Sequence, residues 1–172
     1  MLKLEGRGRS PEYVKTVASV YREAVDAWFK GEYNEEHVEK WNERLAKVYN
    51  RGFWDGYYLG RKTGEWTEDY GNQATVRKLY VGKVTNYYSN IQVAEIKIET
   101  NSVSVEEEIK IIGPTTGVYE DVISEIRVDL KKVKEAQKGD VCSIPVKQLV
   151  RRGDKLYKVV PADRSVPNLV QQ

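Results

Sequence analysis

The sequence of 172 residues predicts an α+β chain, two helices followed by a small antiparallel β module of six strands. Three observations carry this. Between positions 10 and 50, apolar residues recur at three- and four-residue spacing, the period of a helix with one buried face. From Leu79 onward they alternate in steps of two, as in a strand with one face on a core. Turn-forming residues interrupt this second half about every eight to twelve positions, the spacing of a closed barrel or a sandwich.

The first helix is announced by Ser10-Pro11-Glu12, read as N-cap, N1 proline and a first-turn acid. Tyr13, Val17, Val20, Tyr21, Ala24 and Trp28 form its apolar stripe, and Gly31 is its stop. Asn34 can cap a second helix with a stripe through Val38, Trp41, Leu45 and Val48, closed by Arg51-Gly52. Residues 50–73 hold five glycines and six aromatics with little periodicity, and predict a loop held by aromatic anchors. The runs "LYVGKVTNYY", "IQVAEIKIE", "EEIKII", "GVYEDVISEIRVDL", "DVCSIPV" and "KLYKVV" are the six strand candidates. The expected organisation is a helical region over 1–75, a β-barrel over 76–165 and a loose tail over 166–172.

A 40% hydrophobic share is too high for a disordered chain. No apolar run approaches the ~20 residues that span a bilayer, so no membrane partner is expected. The single cysteine, Cys142, cannot form an internal disulfide or a one-chain Cys-based zinc or iron–sulfur site, and a reducing cytoplasm is the expected location. The net charge of +2 conceals a segregation. Residues 99–129 hold eight acids against Lys110 and Arg127, and 131–158 hold nine bases against Glu135, Asp140 and Asp154. Two such surfaces can neutralise each other or steer a charged partner.

Candidate chemistry is sparse. The only histidine, His37, falls in the first turn of the second helix among glutamates and reads as a solvated surface residue. Cys142 lies mid-strand and reads as an inert core thiol. A self-contained hydrolase would have to use one of these two. The adjacent acids Glu106-Glu107-Glu108 and Glu120-Asp121 point to opposite strand faces and make no automatic acid/base pair. "GRGRS" precedes a helix N-terminus where a phosphate can sit, a weak signal by itself. Arg152-Gly153-Asp154 reads as hairpin chemistry between two strands rather than a cell-adhesion motif. Lys131, Lys132, Lys134, Lys138, Arg151, Arg152, Lys155 and Lys158 fall in two β connections read as neighbours, with Tyr157 near for stacking. Positive charge with an aromatic face is the composition of an RNA surface.

"LKLEGRGRSPEYVKTVASVYREAVDAW", followed by "NRGFWDGYYLG", resembles peptidase family U32, the collagenase-like peptidases. The matching positions are Lys3, Glu5, Gly6, Arg7, Ser10, Tyr13, Tyr21, Arg22, Ala24 and Asp26, then Arg51, Gly52, Phe53, Gly56 and Tyr57. One departure is Glu106-Glu107, where that family often shows Gly-Asp. The resemblance covers the rear portion of the family and implies that this chain is a C-terminal region. Leu2–Gly6 would then leave the last strand of a preceding α/β barrel, and the β module would be a barrel like the second domain of translation elongation factors. The resemblance also implies a cysteine-bearing signature and, in several members, an iron–sulfur cluster in that preceding barrel, with no cofactor in this chain. It implies peptidase activity on one branch and hydroxylation of tRNA, ribosomal RNA or quinone precursors on another; the opening motif is most similar to the tRNA branch.

Two functions follow as expectations. In the first, Lys131, Lys132, Lys134, Arg151, Arg152 and Lys155 position tRNA or another RNA for the barrel. In the second, Trp54, Tyr57, Tyr58 and Trp66 dock a peptide. The stripe through Val17, Tyr21 and Trp28, if uncovered, would favour self-association.

Overall fold

The structure, a computed structural model, describes residues 2–53 and 72–162. It divides into two units, Met1–Val76 with Pro161–Gln172, and Arg77–Val160.

In the first unit, α1 runs from Pro11 to Lys30 and α2 from Glu35 to Ala46. Ser10 holds the N-cap position of α1 with extended backbone, but its side chain makes no capping bond. Gly31, at φ 74°, ends α1 as expected. The N–H of Gly31 donates to Trp28 O and that of Glu32 to Ala27 O, the paired bonds of a Schellman stop. Asn34 caps α2 by accepting from the His37 N–H at 2.9 Å. This helix ends at Ala46, earlier than Arg51-Gly52: the Asn50 amide donates to Ala46 O and Val48 O and takes up the carbonyls left open there. Val20, Ala27 and Trp41 form the buried core of the pair, with Ala24, Val38 and Leu45 against it. Glu23 crosses between the helices, accepting from Trp41 Nε1 and, in a fork, from Arg44. The α1 stripe is wider than this core, and Trp28 stays 70% exposed.

The second unit carries ten strands where six were expected. They are β1 Val76–Tyr88, β2 Val93–Ile98, β3 Val103–Ser104, β4 Glu108–Gly113, β5 Gly117–Val122, β6 Ile126–Val128, β7 Lys131–Val133, β8 Glu135–Ala136, β9 Val141–Pro145 and β10 Lys155–Pro161. Eight form one sheet in the order β5-β4-β10-β1-β2-β9-β6-β7, and β3 pairs with β8. Among the described residues β5 and β7 do not pair, so the ladder is not closed into a barrel. The run "GVYEDVISEIRVDL" is two strands with different partners: β5 pairs with β4, its last in-register bond running from the Ile123 N–H to Glu107 O, and β6 pairs with β7 and β9.

The sheet curls around a single apolar core. Ile96, Ile111, Ile126, Ile144 and Leu156, from five different strands, are all essentially inaccessible. Burying each contributes about 1.5–3 kcal/mol. Two features bend β1. The β1–β2 register shifts between Val84 and Asn86, and Thr85 there donates to Glu95. Gly82 lets β2 approach so closely that an added Cβ would lie 2.0 Å from Lys97 O. The curl brings Tyr119 of β5 to the segment after β9, where its hydroxyl accepts from the Lys147 N–H. Glu106, where the resembled family often has glycine, sits at φ 71°, the backbone region that glycine favours.

Candidate functional site

Two stretches far apart in sequence meet in the helical unit. At the start of the chain, Arg9 N–H donates to Gly6 O and closes a turn, and Glu5 accepts from the Arg7 N–H. Gly6 passes so near Val14 that a Cβ would lie 3.0 Å from its methyl. After α2, Asn50 accepts from the Gly52 N–H, and Gly52 takes φ 87°. The two turns bring Arg9 and Arg51 to the same tyrosine. Arg51 Nε donates to the Tyr49 hydroxyl at 2.8 Å, and the Arg9 guanidinium carbon lies 3.9 Å from the centre of the Tyr49 ring. The hydrogen bond from Arg51, then that from Arg9, holds the phenol below its ordinary pKa.

These residues line an open cleft of about 380 Å³. Lys3, Glu5, Arg9 and Arg51 supply its charge, and Leu45, Val48 and Phe53 part of its apolar wall. Among the resemblance positions, Lys3, Glu5, Tyr13, Tyr21, Arg51, Gly52 and Phe53 line it, and Gly6 and Arg7 belong to the adjoining turn; Gly56 and Tyr57 lie outside the described residues. Sequence reasoning did not select Arg9 or Tyr49. The available signal was a tyrosine two places before the motif arginine, and an arginine in the opening glycine turn.

In the sheet unit, Lys131, Lys132, Lys134, Arg151, Arg152 and Lys155 are all exposed. They do not come from neighbouring connections. Lys131 and Lys132 lie on β7 at one end of the sheet order, while Arg151, Arg152 and Lys155 lie at the start of β10, with β1, β2, β9 and β6 between. Acid and base segments partly neutralise each other: Lys132 pairs with Glu125, and Lys158 with Glu107 at 3.5 Å. Tyr157 meets Tyr80 edge-on at 5.7 Å, and Lys78 lies 4.9 Å over its ring. Tyr80 in turn donates to Glu99, and burial, then this bond, pushes its phenol up to about 12.

The remaining candidates are structural. His37 stacks on Trp41 at 5.5 Å with Nδ1 against Glu32 O. Cys142 is buried, and burial, then the charge of Asp140, pushes its thiol up to about 12, far from a reactive thiolate. One inaccessible cysteine does not fit an iron–sulfur cluster. Glu120 pairs with Lys110, and Asp121 accepts from Tyr119, so that pair is not an acid/base couple. Asp154 of the Arg-Gly-Asp run is 3% exposed, accepting from Thr116 Oγ1 and the Arg151 N–H. Its turn joins β9 to β10, which are not neighbours, so it is not a hairpin and cannot present an adhesion carboxylate. No described helix is long and apolar enough to cross a membrane.

The sequence signature of Peptidase family U32 matches residues 1–68, the region that builds the cleft. A collagenase of Porphyromonas gingivalis strain W83 is 52% identical over 158 residues, 92% of this chain and 38% of its own length. The chain belongs to peptidase family U32. The tRNA hydroxylation protein P1 of Bacillus subtilis is 32% identical over 114 residues, 66% of this chain and 26% of that one. The C-terminal domain of a Geobacillus thermoleovorans protein titled a U32 peptidase overlaps 46% of this chain and 90% of its own, at 17% identity and TM-score 0.44. This U32 chain thus spans about two fifths of the length of the collagenase it matches.

Proposed function

We propose that this chain is a non-catalytic accessory module of a U32 protein, positioning RNA, with tRNA the first to test, for a preceding α/β barrel. One observation supports this reading above others: Lys131, Lys134, Arg151, Arg152 and Lys155 are exposed, and no described acid pairs with them. Cations of that kind displace counterions from a phosphate backbone and fix its position, while bond-making is left to another domain. Iron–sulfur chemistry belongs to the barrel in this reading. The module works in the cytoplasm, its curled sheet acts as a translation-factor-like barrel, and the exposed Tyr21 and Trp28 of α1 self-associate when uncovered. The test is charge reversal of Lys131, Lys132, Lys134, Arg151 and Arg152 to Glu in the full-length protein. Affinity for total tRNA should fall about tenfold or more, and the salt slope should flatten by about one unit for each phosphate no longer neutralised. An unchanged affinity and slope would overturn the reading.

The higher identity to the collagenase than to the tRNA hydroxylation protein favours a second reading, docking of a peptide substrate. Its candidates Trp54, Tyr57, Tyr58 and Trp66 lie outside the described residues. Collagen-peptide retention abolished by changing these aromatics to Ala, with no tRNA retention, would select it.

A further inference from the structure

The cleft at Tyr49 lies in the helical unit and plays no part in the proposed RNA surface of the sheet unit. Among the described residues three cations, Lys3, Arg9 and Arg51, line it against one acid, Glu5, and Glu5 already accepts from the Arg7 N–H. Helix α1 begins at Pro11 beside Arg9 without a side-chain cap, so its positive end adds to this corner, with Glu12 the one acid in that turn. The excess of positive charge matches a dianionic phosphate better than a single carboxylate. Guanidinium groups also present the forked donors that phosphate oxygens take.

The walls carry a second requirement. Tyr13, Tyr49 and Phe53 contribute rings, and Leu45 and Val48 aliphatic surface. Phe53 is 60% exposed, an apolar ring held at the surface beside an arginine. Phosphate donors beside an exposed ring are the combination that holds a nucleotide by its phosphate and stacks its base. A volume of about 380 Å³ suits one such unit and not a helical duplex.

The geometry points to a mononucleotide site, with the phosphate held by Arg9 and Arg51 and the base against Phe53, since Arg9 already lies over the ring of Tyr13 at 5.8 Å. A free 5′-nucleotide and a single nucleotide of an RNA strand present the same chemistry here. The site stands independently of the basic sheet surface, and its failure would leave that surface untouched.

The test is calorimetric titration of the full chain with AMP, GMP, CMP and UMP, with inorganic phosphate, and with a short single-stranded oligonucleotide. At least one nucleotide should bind with Kd below about 1 mM, and inorganic phosphate more weakly. Arg9→Gln and Arg51→Gln should each lose about tenfold in affinity or more. Because Arg51→Gln also frees Tyr49, Phe53→Ala provides a second arm at an exposed ring and should weaken nucleotides but not phosphate. Lys97→Gln, at an exposed lysine of β2 outside both surfaces, should leave nucleotide affinity unchanged. An oligonucleotide that binds tighter than any mononucleotide and loses affinity with Arg51→Gln and Phe53→Ala identifies an RNA nucleotide as the occupant, and one whose affinity ignores both variants leaves a free nucleotide as the occupant. Absence of nucleotide binding up to about 10 mM, affinity indifferent to Arg51→Gln and Phe53→Ala, or an acidic peptide displacing every nucleotide would overturn the assignment.

Discussion

Arg9 lies over Tyr49, its guanidinium carbon 3.9 Å from the ring centre, while Arg51 donates to the hydroxyl of the same residue. One phenol therefore couples the opening turn of the chain to the segment that follows α2. Its pKa is depressed by these two cations, the Arg51 bond leading. Arg51→Gln should move the Tyr49 ionisation back toward the ordinary value of about 10, read by ultraviolet absorbance against Tyr49→Phe. A folded pKa below the unfolded one stabilises the fold fully only above about pH 10 and not at all below the folded value. Stability at neutral pH should thus be indifferent to this ionisation. A spectrum unchanged by Arg51→Gln would contradict the coupling.

Glu23 gives the opposite end of the pH scale. Its carboxyl is held below the ordinary range chiefly by the hydrogen bond from Arg44, with Trp41 adding a second. A depressed carboxylate contributes above its unfolded pKa, about 4.3, and the contribution is lost as pH falls through the folded value. The pair is half exposed, so solvent screening keeps its worth to well under ~1 kcal/mol. Glu23→Gln should flatten the acid limb of helix unfolding, followed by far-ultraviolet circular dichroism. An acid limb identical to that of the unmodified chain would remove Glu23 from the account.

Gly82 tests the curl of the sheet. A Cβ there would meet Lys97 O at 2.0 Å, and backbone cannot yield as a side chain tip can. Gly82→Ala should cost about 3 kcal/mol, seen as a lower denaturation midpoint with an unchanged slope. Gly139→Ala has open space around the added carbon but a φ of 103°, so its cost is backbone strain alone, about 1–2 kcal/mol. Equal midpoints for the two variants would show that β1 and β2 approach less closely.

Cys142 should behave as a core atom. Its thiol, pushed up to about 12 by burial, should resist Ellman's reagent at pH 8 in the native chain and react once denatured. Rapid native labelling would reopen a nucleophilic role.

Much of this was legible because local chemistry and tertiary need agreed. Gly31 and Asn34 stop and start the helices where their backbone preferences say, and β2, β4 and β9 follow their alternation. What escaped were β3, β7 and β8, of two or three residues each, whose Lys, Glu and Ser content carries no apolar period. The separation of Lys131 from Arg151 escaped for another reason: strand order is set by long-range pairing, which no local spacing encodes. The Tyr49 cleft escaped because its groups come from both ends of the helix pair and converge only once the helices pack.

β7 is the last strand of its sheet, and its outer row of peptide groups has no described partner. Lys131 stands on that margin without a described acid partner, beside Lys132 and its partner Glu125, and such charges disfavour a second margin approaching in the same register. A charged margin of three residues offers little template for a second copy to pair with. Exchanging the two lysines for glutamate keeps that margin charged; exchanging them for valine removes the charge and invites fibrils.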